Sequence, residues 1–547
     1  MADSHPQAPT MEEDGSESEA DNLQQNPPST GGTTTELAKK KKKKKKSKQP
    51  KAAFDGTASS ESSTAASAKP AAQMSDESLN TLLEMNPALK GEFASMQPEK
   101  ARQLLKNMDL AQLLSGMSLN NRSSQKDMAS YKFWATQPVP RLDETKEQRM
   151  ASLDGPIKEV DPDKISKEPP PLPANYEWVE LDLTNETELK EVYELLNGHY
   201  VEDDKAMFRF AYSKSFLDWA LKAPGWRKSW HVGVRAKTAK RTLVASIFGI
   251  PTEVRVRDKN IPVVEINYLC IHKKLRSQRL APVMIKEVTR KCNLEGIYQA
   301  IYTGGVVLPT PVSTCRYFHR PIQWLKLYEV EFCQLPPYAT KDRMIKKNAL
   351  PDQTSTPSWR PMREDDIDGV LDLLQRYLKR FQLAQNFTRE EIEHWFINRQ
   401  KTPDDRVVWA FVVEGSSGQI TDFTSFYNLE STVIGENSVR HDKVRAAYMY
   451  YYATEAAFVP NEKGLKERLQ LLLGDLLVEA KHAGFDVFNA LTLLDNPLVL
   501  EDLGFSPGDG QLHYYLYNWR TAPISGGVNS KNMPDKNMRG GMGMVML

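Results

Sequence analysis

The stretch His272-Lys-Lys-Leu-Arg-Ser-Gln-Arg-Leu-Ala281 puts four cations, Lys273, Lys274, Arg276 and Arg279, just ahead of a segment with helical apolar spacing that begins near Pro282. Backbone N–H groups at a helix start carry partial positive charge, and guanidinium and ammonium groups beside them suit phosphate oxygens. A basic loop can also be simply solvated, so phosphate binding is one of two readings. Cys270, just upstream, is a second reactive group. Its thiolate could carry an acyl group, although no His–carboxylate arrangement is legible near it. The four cysteines are scattered without CxxC spacing, which argues against a disulfide scaffold and a cysteine zinc site. A third feature is the unbroken octet Lys39–Lys46, extended by Lys48 and Lys51. No aromatic interleaves it, so base stacking is not indicated. A solvated run, docking to RNA or ribosome, an acidic membrane face and a nuclear import signal all stay open.

Such groups need a scaffold, and the chain is sharply uneven in its capacity to build one. Its 547 residues carry 72 Lys and Arg against 71 Asp and Glu, a net charge of +1. Residues 1–38 nevertheless hold eight acids and no Lys or Arg, whereas 39–51 hold ten Lys and no acid. The first 75 or so residues are rich in Ser, Thr, Gln, Glu, Ala and Pro and nearly free of aromatics. They cannot bury enough apolar surface to offset backbone ordering, and disorder is expected. Weak helical spacing at 79–117, with Leu104, Leu105, Met108 and Leu113, has no visible chemistry. The absence of an apolar run of ~18 residues and of a signal-peptide core points to a soluble, cytoplasmic protein. The aromatic strip Tyr131-Lys-Phe-Trp134 is expected to dock onto the folded body, and Glu168-Pro-Pro-Pro-Leu-Pro173 reads as an extended connector.

From Trp178 onward one order of elements is written twice. Asn185 with Glu188 suggests a capping box ahead of a helix bearing Leu189, Val192, Tyr193 and Leu196. Asp366 precedes its counterpart, with Ile367, Val370, Leu371, Leu374 and Leu378. A short helix closed by Trp219 answers one closed by Trp395, and each half then has a hairpin. A strand–loop–helix–glycine–strand unit follows: Val263–Ile271, a helix over Pro282–Cys292, Gly296 and Ile297–Thr303, against Ala446–Thr454, a helix over Leu465–His482, Gly484 and Phe485–Leu494. Strand, helix and parallel return strand make a crossover unit. Duplication explains this order, and chance alignment of generic α/β grammar is the alternative.

The grammar resembles the acetyl-CoA-dependent N-acetyltransferase superfamily, in which a polar loop at a helix N-terminus holds the CoA pyrophosphate. The first loop resembles that superfamily's Arg-x-x-Gly-x-Ala signature, with Arg279 at the glycine position. Phe458-Val-Pro-Asn-Glu-Lys-Gly464 in the second half lacks the cations, so one CoA site is expected. Longer motifs are more specific. Glu265-Ile-Asn-Tyr-Leu-Cys-Ile-His-Lys-Lys-Leu-Arg-Ser-Gln-Arg-Leu-Ala-Pro282, Lys132-Phe-Trp-Ala-Thr-Gln-Pro-Val139 and Gly508-Asp-Gly-Gln-Leu-His-Tyr-Tyr-Leu-Tyr-Asn-Trp519 are similar to the signatures of the N-myristoyltransferases, the glycylpeptide N-tetradecanoyltransferases. The resemblance runs from about residue 130 to 547, and the charged arm suits a eukaryotic, fungal pattern.

The resemblance implies an α/β fold, a mixed sheet with flanking helices, in two pseudo-symmetric acyl-CoA N-acyltransferase-like halves behind a disordered arm. The expected divisions are 1–128 for the arm, 129–340 for the myristoyl-CoA half, and 341–547 for the peptide half with the C-terminal carboxylate. It implies transfer of a myristoyl group to the N-terminal glycine amine of proteins reading Gly-x-x-x-Ser/Thr, with myristoyl-CoA as co-substrate and neither prosthetic group nor metal. It carries over an oxyanion hole from the backbone amides of Tyr268 and Leu269, with Tyr268 at a position where Phe is commoner. Asn267 and Thr303 would seat the amine, and the carboxylate of Leu547 would be the base. CoA contacts carry over to Tyr131, Lys132, Phe133, Trp134, Tyr268, Leu269, Cys270, Ile271, Arg276, Ser277, Gln278, Arg279, Leu280 and Ala281. Peptide contacts carry over to Tyr200, Phe208, Phe210, Tyr317, His319, Asp509 and Gly510; each aromatic could equally be a core residue and Asp509 an ordinary turn aspartate. The apolar tail Met544-Val-Met-Leu547 and Gly540, Gly541 and Gly543 favour a buried, re-entrant terminus over a frayed one. A monomer is expected. The competing readings are an N-acetyltransferase indifferent to acyl length, an acyl-cysteine route through Cys270, and a non-catalytic lipid-peptide binding module or ribosome adaptor.

Overall fold

Alternating and fully apolar β-branched and aromatic runs dominate residues 176–517, and in the computed structural model they assemble into a single 14-stranded mixed sheet. The structure describes residues 131–547 apart from 143, 203–206, 277, 400–401, 461 and 536–538. The lysine octet and the weak helices of 79–117 lie outside the described residues.

From one edge the sheet runs through Tyr176–Glu180, His231–Ala236, Leu243–Val256, Lys259–Ile271, Ala300–Gly304 and Ser506–Tyr517. It continues through Ser313–Pro321, Val487–Leu491, Ala446–Thr454, Ile420–Asn428 and Val408–Glu414 to Trp359–Pro361 at the other edge. The order reads the same from either end: five strands of one half, then a sixth contributed by the other. Ser506–Tyr517 pairs with Ala300–Gly304, and Ser313–Pro321 pairs with Val487–Leu491. The halves therefore exchange their last strands, which pair with each other at the centre. Cutting the chain between them would expose ladder hydrogen bonds on both sides.

Each half contains a parallel pair of neighbouring core strands, Lys259–Ile271 with Ala300–Gly304 and Ala446–Thr454 with Val487–Leu491. A parallel return needs a crossover, supplied by helices Leu280–Leu294 and Glu462–His482. Both helices end on a glycine in the left-handed region, Gly296 (φ +83°) and Gly484 (φ +76°), the conformation that stops a helix at low steric cost. The helices begin earlier than their apolar spacing predicts. The first return strand begins only at Ala300, because Ile297–Gln299 forms the turn that aims it. The expected capping box at Asn185 is only half made. Asn185 accepts from the Thr187 N–H at 2.9 Å, whereas Glu188 accepts from the Asp182 N–H at 2.6 Å and so ties the helix to the preceding strand.

The aromatic strip does dock: Trp134 is buried and stacks on Tyr302 (5.7 Å), which stacks on Tyr515 (5.0 Å). Elsewhere in the core His231 lies between Trp226 and Phe248, each 5.2 Å away, and burial lowers its pKa to about 4. An unfolded histidine titrates near ~6.5, so this contribution to stability is intact above that pH and is lost as pH falls toward 4. Urea unfolding should register that loss, and His231→Gln should remove one proton's worth of the slope, about 1.4 kcal/mol per pH unit.

Candidate active site

The chemistry-bearing strand Lys259–Ile271 does not pair evenly with its neighbour. Ser246 faces Cys270 and Phe248 faces Asn267, so Tyr268 and Leu269 together oppose the single residue Ile247. This is a β-bulge, and Tyr268 takes φ +52°, the left-handed conformation such bulges need. A bulge of this kind takes consecutive N–H groups out of the ladder and can aim them into one concavity, the arrangement that receives an oxyanion. Tyr268 is held by a cage of rings, Tyr200, Tyr212 and Phe248, at 5.8, 5.2 and 6.3 Å. The Tyr268 backbone N–H also donates to the Tyr200 phenol. Tyr200 thus touches the bulge directly.

The second half repeats the bulge. Tyr450 and Tyr451 share Ser425, with Thr424 facing Tyr452 and Phe426 facing Met449. There the serine takes both groups: the Tyr451 N–H donates to Ser425 Oγ (3.1 Å), and Ser425 Oγ donates to the Tyr451 carbonyl (2.7 Å). Ile247, in the matching position of the first half, has no atom able to accept. The second bulge is thus closed by the serine opposite it, whereas the first is capped only at Tyr268, by the Tyr200 phenol.

An apolar cleft opens beside the first bulge. Asn267, Tyr268, Leu269 and Thr303 line one part of it, and Val264, Ile266, Ile285, Val288 and Cys292 form its walls between sheet and helix. Trp134 and Tyr302 also line it, so the docked strip is one of its walls. Of the expected CoA contacts, Tyr131 is buried with its hydroxyl toward the Val307 carbonyl (3.4 Å), Phe133 packs edge-on to Trp134 (5.1 Å), and Lys132 is exposed. In the basic loop Arg279 sits at the helix N-cap with φ +56°. That conformation explains a glycine in the superfamily signature, and arginine holds it at some steric cost. Gln278 and Arg279 are exposed, Leu280 and Ala281 are buried, and Ser277 lies outside the described residues. The loop's four cations do not all face ligand: Lys273 pairs with Glu202 (2.6 Å), and Arg276 donates to the carbonyls of His199 and Ile271.

The C-terminus is inside the protein. Met542–Gly543 adds as a parallel strand to Leu383–Gln385, which itself pairs with Leu243–Val256. Gly541 and Gly543 serve close approach here, not unusual φ. A side chain on Gly541 would meet Ile524 at 2.6 Å, and one on Gly543 would meet Phe381 at 2.9 Å. Beyond them the Met544 carbonyl accepts from the Tyr514 hydroxyl (3.1 Å), and the Val545 N–H donates to the Tyr451 hydroxyl (3.0 Å). Leu547 is only 6% exposed, and its N–H donates to the Glu265 carboxylate. Glu265 accepts in turn from the Asn267 amide at 2.7 Å. Two hydrogen bonds thus join the terminal residue to the residue that opens the bulge. Glu265 has its pKa raised to about 7, chiefly by burial and further by Glu391.

The expected peptide contacts gather where the halves meet. Phe208–Ala211 pairs with Glu430–Val433, opposing Phe210 to Ser431 and Phe208 to Val433. Phe210 packs on Tyr212 (5.8 Å) and Tyr448 (6.4 Å), and Phe208 and His319 share Phe332 at 5.9 and 5.5 Å. Tyr317 is buried, facing Tyr448 electrostatically. His319 is bound to Asn489 through Nδ1 (2.7 Å) and kept neutral by burial, which lowers its pKa to about 4. Asp509 is exposed and Gly510 half-buried beside it.

Cys270 is poorly placed as a nucleophile. Its thiol is buried, lies 3.8 Å from the Leu195 carbonyl, and has its pKa pushed up to about 12 by desolvation. A thiolate is the reactive form, so Cys270→Ala should leave acyl transfer within about twofold of wild type in a steady-state assay. Among the described residues no group of three or more His, Cys, Asp or Glu is arranged to hold a metal ion. No helix there is long and apolar enough to cross a membrane.

Sequence reasoning missed Glu265 and Ser425. Glu265 had a readable signal: Glu265 and Asn267 stand two apart on a strand otherwise apolar, hence on one face. Ser425 had none, because its role appears only once the bulges are superposed.

Family models describe two consecutive parts of the chain: the N-terminal domain of myristoyl-CoA:protein N-myristoyltransferase matches residues 156–315 and its C-terminal domain residues 329–545. A glycylpeptide N-tetradecanoyltransferase from Aspergillus fumigatus is 62% identical over 87% of this chain and 96% of its own. The Saccharomyces cerevisiae protein of the same name is 48% identical over 80% of this chain and 98% of its own. A crystal structure of Saccharomyces cerevisiae N-myristoyltransferase with bound myristoyl-CoA superposes with a TM-score of 0.73 at 49% identity, covering 76% of this chain and 99% of that one. With matches of that extent to both of its parts, the chain belongs to the N-myristoyltransferase family of acyltransferases.

Proposed function

We propose that the protein transfers the acyl group of myristoyl-CoA to the N-terminal glycine amine of proteins reading Gly-x-x-x-Ser/Thr, by direct amine attack. The observation carrying this reading is the buried C-terminus, linked through Glu265 and Asn267 to a two-amide bulge beside an apolar cleft. The half spanning 129–340 takes myristoyl-CoA. Tyr131, Lys132, Phe133, Trp134, Cys270, Ile271 and Arg276–Ala281 surround it, and no prosthetic group takes part. The half spanning 341–547 supplies the carboxylate and, with Tyr200, Phe208, Phe210, Tyr317 and His319, the peptide groove.

In this mechanism the acyl chain fills the cleft with its thioester carbonyl at the amides of Tyr268 and Leu269, displacing the Tyr200 phenol from the first. Asn267 and Thr303 seat the glycine amine. An α-amino group titrates near ~8, so its neutral form costs about 1 kcal/mol at pH 7. The Leu547 carboxylate takes the proton, its basicity raised by burial. The neutral amine attacks, the two N–H groups hold the oxyanion, and the C–S bond breaks as the second amine proton passes to the leaving sulfur, so that CoA departs as its thiol. Juxtaposing both reactants supplies much of the remaining acceleration. The lysine octet would act as a localiser toward ribosome or another acidic surface.

An acyl-CoA competition from acetyl to palmitoyl, with a glycine-initiated peptide and detection of free CoA thiol, tests the reading. A sharp maximum at fourteen carbons is expected. Equal use of acetyl-CoA would favour the acetyltransferase alternative, and no thiol release would leave a binding module.

A further inference from the structure

Glu265 is an acidic side chain that reaches both the chain terminus and the amine seat. It stands two residues before Asn267 on the strand that carries the bulge, so the two side chains share a face. Its carboxylate accepts from the Asn267 amide at 2.7 Å and from the Leu547 N–H. The carboxylate carbon of Leu547 is two bonds from that nitrogen. Any rotation that freed Leu547 from Glu265 would therefore also swing the terminal oxygens.

Two further contacts hold the tail before its last residue. Tyr514 holds the Met544 carbonyl and Tyr451 holds the Val545 N–H, both upstream. Tyr451 is itself tied to Gln385 (3.3 Å), and Gln385 to Glu391 (3.4 Å). The groups facing Glu265 are Tyr268 on its own strand, Tyr450 and Tyr451 on the neighbouring half's strand, and Glu391 on helix Arg389–Phe396. The tyrosines are neutral at working pH, because burial raises all three far above their ordinary range. Glu391 is an acid with a raised pKa, anchored by the Thr388 N–H at 2.8 Å. Among the described residues no Lys or Arg is among the groups acting on Glu265, so its charge is not cancelled locally.

We propose that Glu265 is a positioning residue for acyl transfer: its carboxylate clamps Leu547 and Asn267 together, fixing the terminal base against the amine seat and, as a neighbouring negative charge, sustaining that base's affinity for a proton. The proposal rests on Leu547 acting as the base. A like charge nearby disfavours ionisation of a carboxyl group, so above about pH 7, where Glu265 is itself ionised, its charge makes the Leu547 carboxylate a stronger proton acceptor. Glutamine in its place keeps the shape and one accepting oxygen but removes the charge.

The test uses the full chain, saturated with myristoyl-CoA and a glycine-initiated peptide, in single-turnover measurements from pH 5.5 to 9. The variants are Glu265→Gln, Glu265→Ala and a chain carrying one alanine after Leu547. Glu265→Ala should slow transfer tenfold or more with myristoyl-CoA affinity unchanged, a control that also reports correct folding. Glu265→Gln should lose less rate, but the acid limb of its profile should move down by about one pH unit, the size of shift one nearby charge exerts. In the alanine-extended chain, adding Glu265→Gln should cost nothing further. Wild-type rate and wild-type limb in both Glu265 variants would overturn the proposal. A slow Glu265→Ala paired with an unmoved limb in Glu265→Gln would also overturn it, since that pattern marks a purely structural contact. Wild-type rate in the extended chain alone would instead overturn the assignment of Leu547 as base, a failure separable from that of Glu265.

Discussion

Blocking the terminal carboxylate is expected to slow acyl transfer by about a hundred- to ten-thousandfold, the range that a positioned general base contributes. The cleanest form is a chain ending in Leu547 carboxamide, prepared by ligation, because the amide has nearly the same shape and cannot take the proton. Appending one alanine after Leu547 makes the same point by geometry. A residue adds up to ~3.5 Å of chain, and a base must lie within hydrogen-bond reach of the proton it removes. Leu547 is packed in the core, so the added residue must either expel the tail or move the carboxylate away. Myristoyl-CoA should still bind, because no residue of the tail lines the apolar cleft. Calorimetric titration of acyl-CoA beside single-turnover transfer separates the two quantities. A carboxamide chain that transfers at the wild-type rate would remove Leu547 from the mechanism.

The second large effect concerns the cleft. Ile285, Val288 and Cys292 recur at i, i+3 and i+7 along helix Leu280–Leu294 and present one wall to it. Val288→Trp places a ring across the middle of that wall. If the ring denies room to four methylenes, at ~0.8 kcal/mol each the lost burial is about 3 kcal/mol, or roughly 200-fold in kcat/KM for the fourteen-carbon donor. A ten-carbon donor, which would not need that space, should keep most of its efficiency, so the chain-length optimum moves down instead of the whole profile falling. Measuring kcat/KM for the eight- to sixteen-carbon acyl-CoAs distinguishes the outcomes. A uniform fall at every length would mean that the ring disturbs the fold and that the cleft does not hold the chain.

Local sequence was enough for much of the scaffold. Helical spacing, Gly296 and Gly484, and the apolar strands around them carry both crossover units, because each of these features acts over a single turn or strand. Motif spacing around Tyr268 and in the Arg276–Ala281 loop pointed to the stretch of chain in which the bulge lies. It did not yield the bulge, since a bulge is a mismatch of register between two strands and neither strand contains it alone. The strand exchange was equally invisible: Ser313–Pro321 and Ser506–Tyr517 read as ordinary strands whichever half they complete.

What the sequence determined by itself was therefore a doubled α/β pattern and a basic loop feeding a helix. Only the tertiary structure decided that Ser425 closes one bulge where Ile247 faces the other, and that Glu265 meets a residue 282 positions later. Hydrophobic period and turn chemistry are short-range and leave their mark in neighbouring letters. A hydrogen bond from the last N–H of the chain depends on where an entire sheet delivers it.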